Sequence, residues 1–587
     1  MIFTNKKVSH IINKLSAIQP LGKCWMWIIL FLSLPLYAQE APKWAKKARA
    51  AVFSVITYDK EDNILNTGNG FFISENGEAV ADYNLFRSAE KAIIITNTGK
   101  QLPVTHILGA NEIYDIVKFR IDAGKEKLTA LTIDTLGVQA GQSVWMLPYS
   151  TSKSIDCTMG KVEERVTASE QYAYYTLRMP VTEKQVSCPI MNEQGEVVAL
   201  IQKPYGGQDN VTNYAVDVRF AANLSIGALT GNSPILKAIG IKKALPPTEQ
   251  EALVYLYMNS TRGPQEYLSL LNEFIITYPQ SAEGLQRRAA LYVQSFRDSA
   301  HFQLAEEDMS RALELTTNKA DAHYALCRLI ITNATDKNPL TYKDWTLDKA
   351  LAEIDKAIAQ DSLPLYQQTK GDLHFALGQY QAAYQAYCSV NRSNIATAST
   401  WYTAAQALQM MGDTTRTSEV VDLITHAINT YAKPYPREVA PYILQRAQAL
   451  MADGRPREAV QDYNEYYNLL AGQTNAAFYY HRAIAALAGR MNQVAVNDLL
   501  RAVELAPENV DYLIEQASVC ARFNLWDEAI VAARRVTELL PDYADAYRIL
   551  GVCLGQQGKK EEARTALQRA QQLGDPQAEN LLKRYGE

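Results

Sequence analysis

The spacing of apolar residues changes once along the chain. In the first part they come in short or alternating runs, at residues 51–58, 70–73, 92–96, 116–121, 143–147, 173–178, 197–202 and 213–216. Turn residues separate the runs at 66–70, 75–77, 97–99, 192–195 and 206–209. Alternation with a period of two belongs to strands. Many short strands with regular turn signals predict an all-β sandwich or barrel.

Beyond the break Ala244 to Thr248, where Pro246 and Pro247 forbid a continuous helix, the period becomes helical. Ala495, Ala529 and Ala563 recur every 34 residues. Tyr479, Leu513 and Tyr547 keep the same interval, as do Ala483, Ala517 and Gly551, then Leu499, Ala533 and Leu567, then Ala502, Val536 and Ala570. Pro507 and Pro541 close their units, and Pro576 does so one residue late. Ala563, Leu567 and Ala570 stand at i, i+4 and i+7, on one helix face. A fixed period of this length predicts stacked units that bury one continuous core. The pattern resembles the tetratricopeptide repeat family, which implies two helices per unit and an all-α superhelix able to bind a protein or peptide. About nine such units are expected over residues 249–587. An insertion at 333–346, with Tyr342 and Trp345, is expected to project from one face. The basic residues Lys559, Lys560, Arg564 and Arg569 read first as a solvated helix face.

The first part carries a second resemblance. Gly68, Gly70, Phe71, Phe72, Ile73, Gly77 and the stretch Ala81-Asp82-Tyr83-Asn84-Leu85 look like the opening of trypsin-like, chymotrypsin-fold serine proteases of the bacterial periplasmic type. Asp115-Ile116-Val117 is similar to that family's aspartate motif, and Pro189 to Val198 to the segment after its nucleophile. The resemblance implies a chymotrypsin-like double barrel over residues 45–240, joined by a linker at 241–248 to the repeats. It also implies where a catalytic triad would stand, at Asn84, Asp115 and Val186, so of the three only Asp115 matches. A serine hydroxyl needs an adjacent imidazole to take its proton, and the amide of Asn84 is no base near neutral pH. Ser187 and Cys188 remain as fallback nucleophiles. His106, the one histidine of residues 45–240, reads as structural.

Composition adds limits. A chain of 587 residues exceeds one core, so two or three domains are expected. A net charge of −5 argues against non-specific nucleic-acid binding. Lys6, Lys7, Lys14 and Lys23 precede an apolar run, 25–37, that ends before Ala38. Residues 1–38 therefore read as a secretory signal peptide, with an uncleaved anchor as the alternative. The expected setting is the periplasm or outer-membrane periphery, with no transmembrane span after cleavage. Cys157 and Cys188 are open to pairing, whereas Cys327, Cys388, Cys520 and Cys553 read as buried thiols in the repeats. No metal-ligand spacing, phosphate loop or dinucleotide fingerprint occurs, so neither metal nor cofactor is expected. The functional expectation is an exported scaffold that binds a protein or peptide partner in the cell envelope. The alternatives are a trypsin-like endopeptidase with a rearranged site and a holdase-like chaperone.

Overall fold

A computed structural model describes residues 41–152, 154–167, 172–203 and 211–585. The segment read as a signal peptide, 1–38, lies outside the described residues. Twelve described strands make two closed barrels. The first contains β1 (Val52–Tyr58), β2 (Ile64–Phe72), β3 (Glu78–Ala81), β4 (Lys91–Ile95), β5 (Gln101–Asn111) and β6 (Ile116–Ile121), in the order β1-β2-β3-β6-β5-β4. The second contains β7 (Ser143–Met146), β8 (Thr158–Thr167), β9 (Ala173–Arg178), β10 (Pro189–Met191), β11 (Val197–Ile201) and β12 (Thr212–Asp217), in the order β10-β11-β12-β9-β8-β7.

Alternation explains the barrel interiors. Phe53, Val55, Phe72, Ile94, Phe119 and Ile121 point into the first barrel. Phe53 meets Phe72 edge-on, with ring centroids 4.7 Å apart. Gly70 allows that contact, because a Cβ there would lie 2.7 Å from both the Phe53 ring and the Val80 carbonyl oxygen. Val144, Met146, Val162, Tyr175, Leu177, Ile190 and Ile201 fill the second.

The helix pair Glu249–Met258 and Pro264–Thr277 belongs with the barrels, since the first of two compact units ends at Tyr278 and the second begins at Pro279. Lys242 Nζ lies 2.7 Å from Glu273 Oε2, His106 Nε2 lies 3.4 Å from Glu273 Oε1, and the Tyr278 hydroxyl donates to the Pro246 carbonyl at 2.6 Å. The linker expected at 241–248 thus falls inside the first unit. Prolines break a helix there without releasing the next pair from the barrel.

The second unit is a helical repeat superhelix. Its helix pairs run from Ala282–Leu291 with Ser299–Leu315 to Ala544–Gln556 with Lys560–Gln572, followed by Ala578–Tyr585. Ala495, Ala529 and Ala563 are fully buried. A Cβ on Gly551 would come within 2.5 Å of Leu567, so the small residue sets the spacing of the last pair. The insertion does not project as expected. Tyr342 and Trp345 are buried, with ring centroids 5.5 and 5.2 Å from Phe302, and the Asn333 side chain bonds the Leu340 backbone at both ends. Two large aromatic rings gain more by burial than by exposure. No helix among the described residues is long and apolar enough to cross a membrane.

Charge pairs tie some units internally. Arg446 forks onto Asp462, and Arg482 onto Asp498, through two 2.7 Å bonds each and at the same separation of 16 residues. Arg482 also lies over the Phe478 ring, 5.0 Å from its centroid. In the next unit Gln516 and Ala532 hold these places, and Gln516 Oε1 is buried without a partner. Removing one member of a buried pair leaves the other charge uncompensated. Asp498→Ala should therefore destabilise the second unit by about 3 kcal/mol. The double variant Gln516→Arg with Ala532→Asp should install a fork in the next unit and be more stable than either single change. Urea unfolding monitored by helical circular dichroism checks both.

Candidate functional site

A cleft of about 870 Å³ opens between the barrels. From the first barrel it receives Asn66 to Asn69 of β2 and the corner Asp82, Asn84 and Leu85. From the second it receives Tyr149, the turn residues Glu183, Lys184, Val186 and Ser187, and Lys203.

The first wall is organised by one amide. Asp82 follows β3 directly and caps the short helix Tyr83–Phe86, accepting from the Asn84 N–H at 2.7 Å. Asp115 stands in the turn between β5 and β6 with φ at +51°. Its Oδ1 accepts from the same N–H at 2.9 Å, and its carbonyl accepts from the Tyr83 N–H at 3.2 Å. Two carboxylates thus converge on one hydrogen. Asp82 is 7% exposed. Burial, then the hydrogen bond and charge of Asp115, push its carboxyl up to about 8, against the pull of the Asn84 amide and the charge of Lys203. The Asn84 side chain is exposed to the cleft.

The second wall is held by the first. Asn69 Nδ2, projecting from β2, donates to the carbonyls of Lys184 at 2.7 Å and Val186 at 3.0 Å. Val186 presents an apolar side chain to the cleft. Ser187 follows with φ at +64° and its N–H bonded to the Ile201 carbonyl at 3.0 Å. It lines the cleft, yet it is fully buried and its hydroxyl has no hydrogen-bond partner. Cys188 is buried, and burial pushes its thiol up to about 12. Cys157 is half-buried, and its thiol is pushed up to about 11 for the same reason. Both thiols are free, so the pairing left open by the sequence is not made. A protonated, buried thiol is a poor nucleophile at neutral pH.

Asn84, Val186 and Ser187 line the one cleft, Asp115 does not line it but bonds the Asn84 N–H, and His106 lies elsewhere. His106 lies on β5, beside Glu273. Burial lowers its tendency to protonate, Glu273 opposes this, and Lys242 and Arg120 reinforce it. No histidine is among the described residues lining the cleft. Among the described residues no group of three or more His, Cys, Asp or Glu side chains is placed to hold a metal. Sequence reasoning missed Asp82 and Asn69. A signal for Asp82 was present: an aspartate directly after the apolar strand residues Ala79, Val80 and Ala81.

No family model matches the sequence, and no curated protein does. Among solved structures the chain is similar to the active form of the Rv3671c protease from M. tuberculosis, at 14% identity and a TM-score of 0.27, over 31% of this chain and 82% of that one. The strand order of the chain itself carries the fold assignment: two closed six-stranded barrels in a chymotrypsin-like arrangement, followed by helical repeats.

The buried carboxyl gives a pH signature. An unfolded aspartate loses its proton near 3.9, whereas folded Asp82 keeps it to about 8. The folded state therefore holds the extra proton between these values, and its stability falls as pH rises through that window. Asp82→Asn keeps the cap but removes the titration. It should match the parent chain near pH 5 and melt a few degrees, about 3 °C, higher near pH 8.5. Differential scanning calorimetry across pH checks this.

Proposed function

We propose that this chain is an exported scaffold that binds peptide segments without cutting them. In this reading the double barrel is a protease-like domain that has lost its chemistry, and the helices are tetratricopeptide repeats that bind the same partner or another part of it. The setting is the periplasm or outer-membrane periphery. The observation that carries the reading is the cleft itself: about 870 Å³ of open volume, lined by Asn84 and Val186, the residues that the sequence resemblance would put in the places of base and nucleophile. Extended peptides dock by backbone pairing and side-chain pockets, neither of which depends on a triad. The helical repeats add a second surface, since stacked units expose an extended face.

Ser187 favours the rival reading, an endopeptidase with a rearranged site. The residue lines the cleft, and its buried hydroxyl lacks a partner. Attack by a serine needs a base within hydrogen-bond reach. Among the described residues, the titratable groups lining the cleft are Asp82, Tyr149, Glu183, Lys184 and Lys203.

Three measurements separate the readings. A fluorophosphonate probe should leave the protein unlabelled, and casein should remain intact after prolonged incubation. Labelling that disappears in Ser187→Ala would establish the enzyme instead. Fluorescein-labelled extended heptapeptides should bind the full chain by anisotropy, and Val186→Arg, which fills the cleft, should weaken that binding about tenfold.

A further inference from the structure

The helix pair Glu249–Met258 and Pro264–Thr277 meets the first barrel along a seam in which one carboxylate serves two bases. Residues 242–244 run beside β5, with the Ile107 N–H on the Lys242 carbonyl at 2.8 Å and the Ala244 N–H on the Ile107 carbonyl at 2.9 Å. Lys242 and His106 both reach Glu273 of the second helix: Lys242 Nζ lies 2.7 Å from Oε2, and His106 Nε2 lies 3.4 Å from Oε1. Among the described residues, Glu273 is the only carboxylate of the pair that enters an ion pair. A cavity of about 600 Å³ opens along the seam, bordered by His106, Arg120, Lys242, Leu268, Glu273 and Ile276 among others. The His106 side chain is 26% exposed, so a proton can reach the ring, yet its Nε2 makes no hydrogen bond.

The charges around His106 are matched without it. On the ladder between β5 and β6, His106 stands opposite Arg120. Arg120 and Lys118 share Glu78 of β3, at 3.0 and 3.1 Å. Lys242 holds Glu273. Three cations thus already meet two carboxylates. A proton on His106 adds a fourth cation and sets it directly across the ladder from Arg120, where like charges repel. Other charged groups of the helix pair stand apart. Arg262 and Glu266, with Lys243, line a neighbouring cavity and do not border this one. The Tyr255 phenol is raised by burial and stays neutral.

We propose that this seam is an acid-released clasp: uptake of a proton by His106 loosens the helix pair from the first barrel. The second unit begins at Pro279, directly after the pair. Release therefore adds residues 249–278 to the chain that connects the two units. The sign follows from where the proton is held more easily. A free histidine takes it near 6.5. In the seam His106 is held below that value, by burial first, with Glu273 opposing and Lys242 and Arg120 reinforcing. The released pair binds the proton more readily than the clasped one. Clasping is complete above about 6.5 and weakens as pH falls below it.

Hydrogen–deuterium exchange of the full chain, read by mass spectrometry and corrected for the intrinsic pH dependence of exchange, tests this. Residues 264–277 should lose protection about tenfold between pH 7.5 and pH 5, while β1 and β6 keep theirs. His106→Gln should show equal protection at the two pH values. Lys242→Met removes the competing cation and leaves Glu273 to the imidazolium, so the acid loss should disappear there as well. If His106→Gln does not fold, Lys242→Met decides. Unchanged protection of the helix in acid overturns the clasp, as does an acid loss in His106→Gln equal to that of the parent chain. A loss that runs equally through β1 and β6 overturns it too, since the barrel itself would then be opening.

Discussion

The bond from Asn69 to the turn of the other barrel is the constraint from which the cleft follows. Each sheet satisfies its backbone by closing on itself, so groups that pair across the cleft come from side chains and turns. Asn69 spends both amide hydrogens on the carbonyls of Lys184 and Val186. That fixes the 183–187 turn against β2 through its backbone, whatever side chains the turn carries. The first wall is fixed in the same way, by the Asn84 amide between two carboxylates and the Tyr83 amide on the Asp115 carbonyl. Cleft geometry is thus carried by the main chain and by two aspartates and one asparagine. The side chains of Asn84 and Val186 make none of these bonds and can differ without loss of shape.

The same separation explains what the sequence made legible. Strands such as β1 and β6 alternate cleanly because one face meets a barrel core. β8 does not read as a strand, because Lys161, Glu163 and Glu164 crowd a run in which only Gly160 and Val162 are buried. β3 and β10 are only four and three residues long, too short for any period to register. The repeats were the plainest signal, since a 34-residue interval across five columns reports the packing of one helix pair on the next. The 333–346 insertion was misread for the converse reason. Its aromatic residues fall outside the period, so nothing in the columns says that Phe302 waits to receive them. Asp82 was hidden inside a motif quoted for its neighbour, and its partner Asp115 lies 33 residues further on in sequence.

In the second unit the charge pairs do not follow the period throughout. Arg446–Asp462 and Arg482–Asp498 each join the two helices of one unit through a planar fork that a lysine would not reproduce. One unit later the fork is gone and a lone amide oxygen remains buried. Small-residue columns continue through that unit, with Ala517 and Ala529 fully buried, so stacking survives the loss. Helix separation depends on the columns, whereas the forks add fixed orientation within a unit.

Two features of the cleft weaken the fold that contains them. Ser187 holds a left-handed backbone that glycine would adopt without strain, and its hydroxyl is buried without a partner. Asp82 keeps a proton far above its ordinary range because it is buried and a second carboxylate stands beside it. A glycine and an asparagine would relieve both while leaving strand order, turn and cap in place. A domain whose task was only to close one end of a helical array would gain stability from those changes and lose nothing. Both features stand at the walls of one cleft, and neither strand order, turn nor cap depends on them.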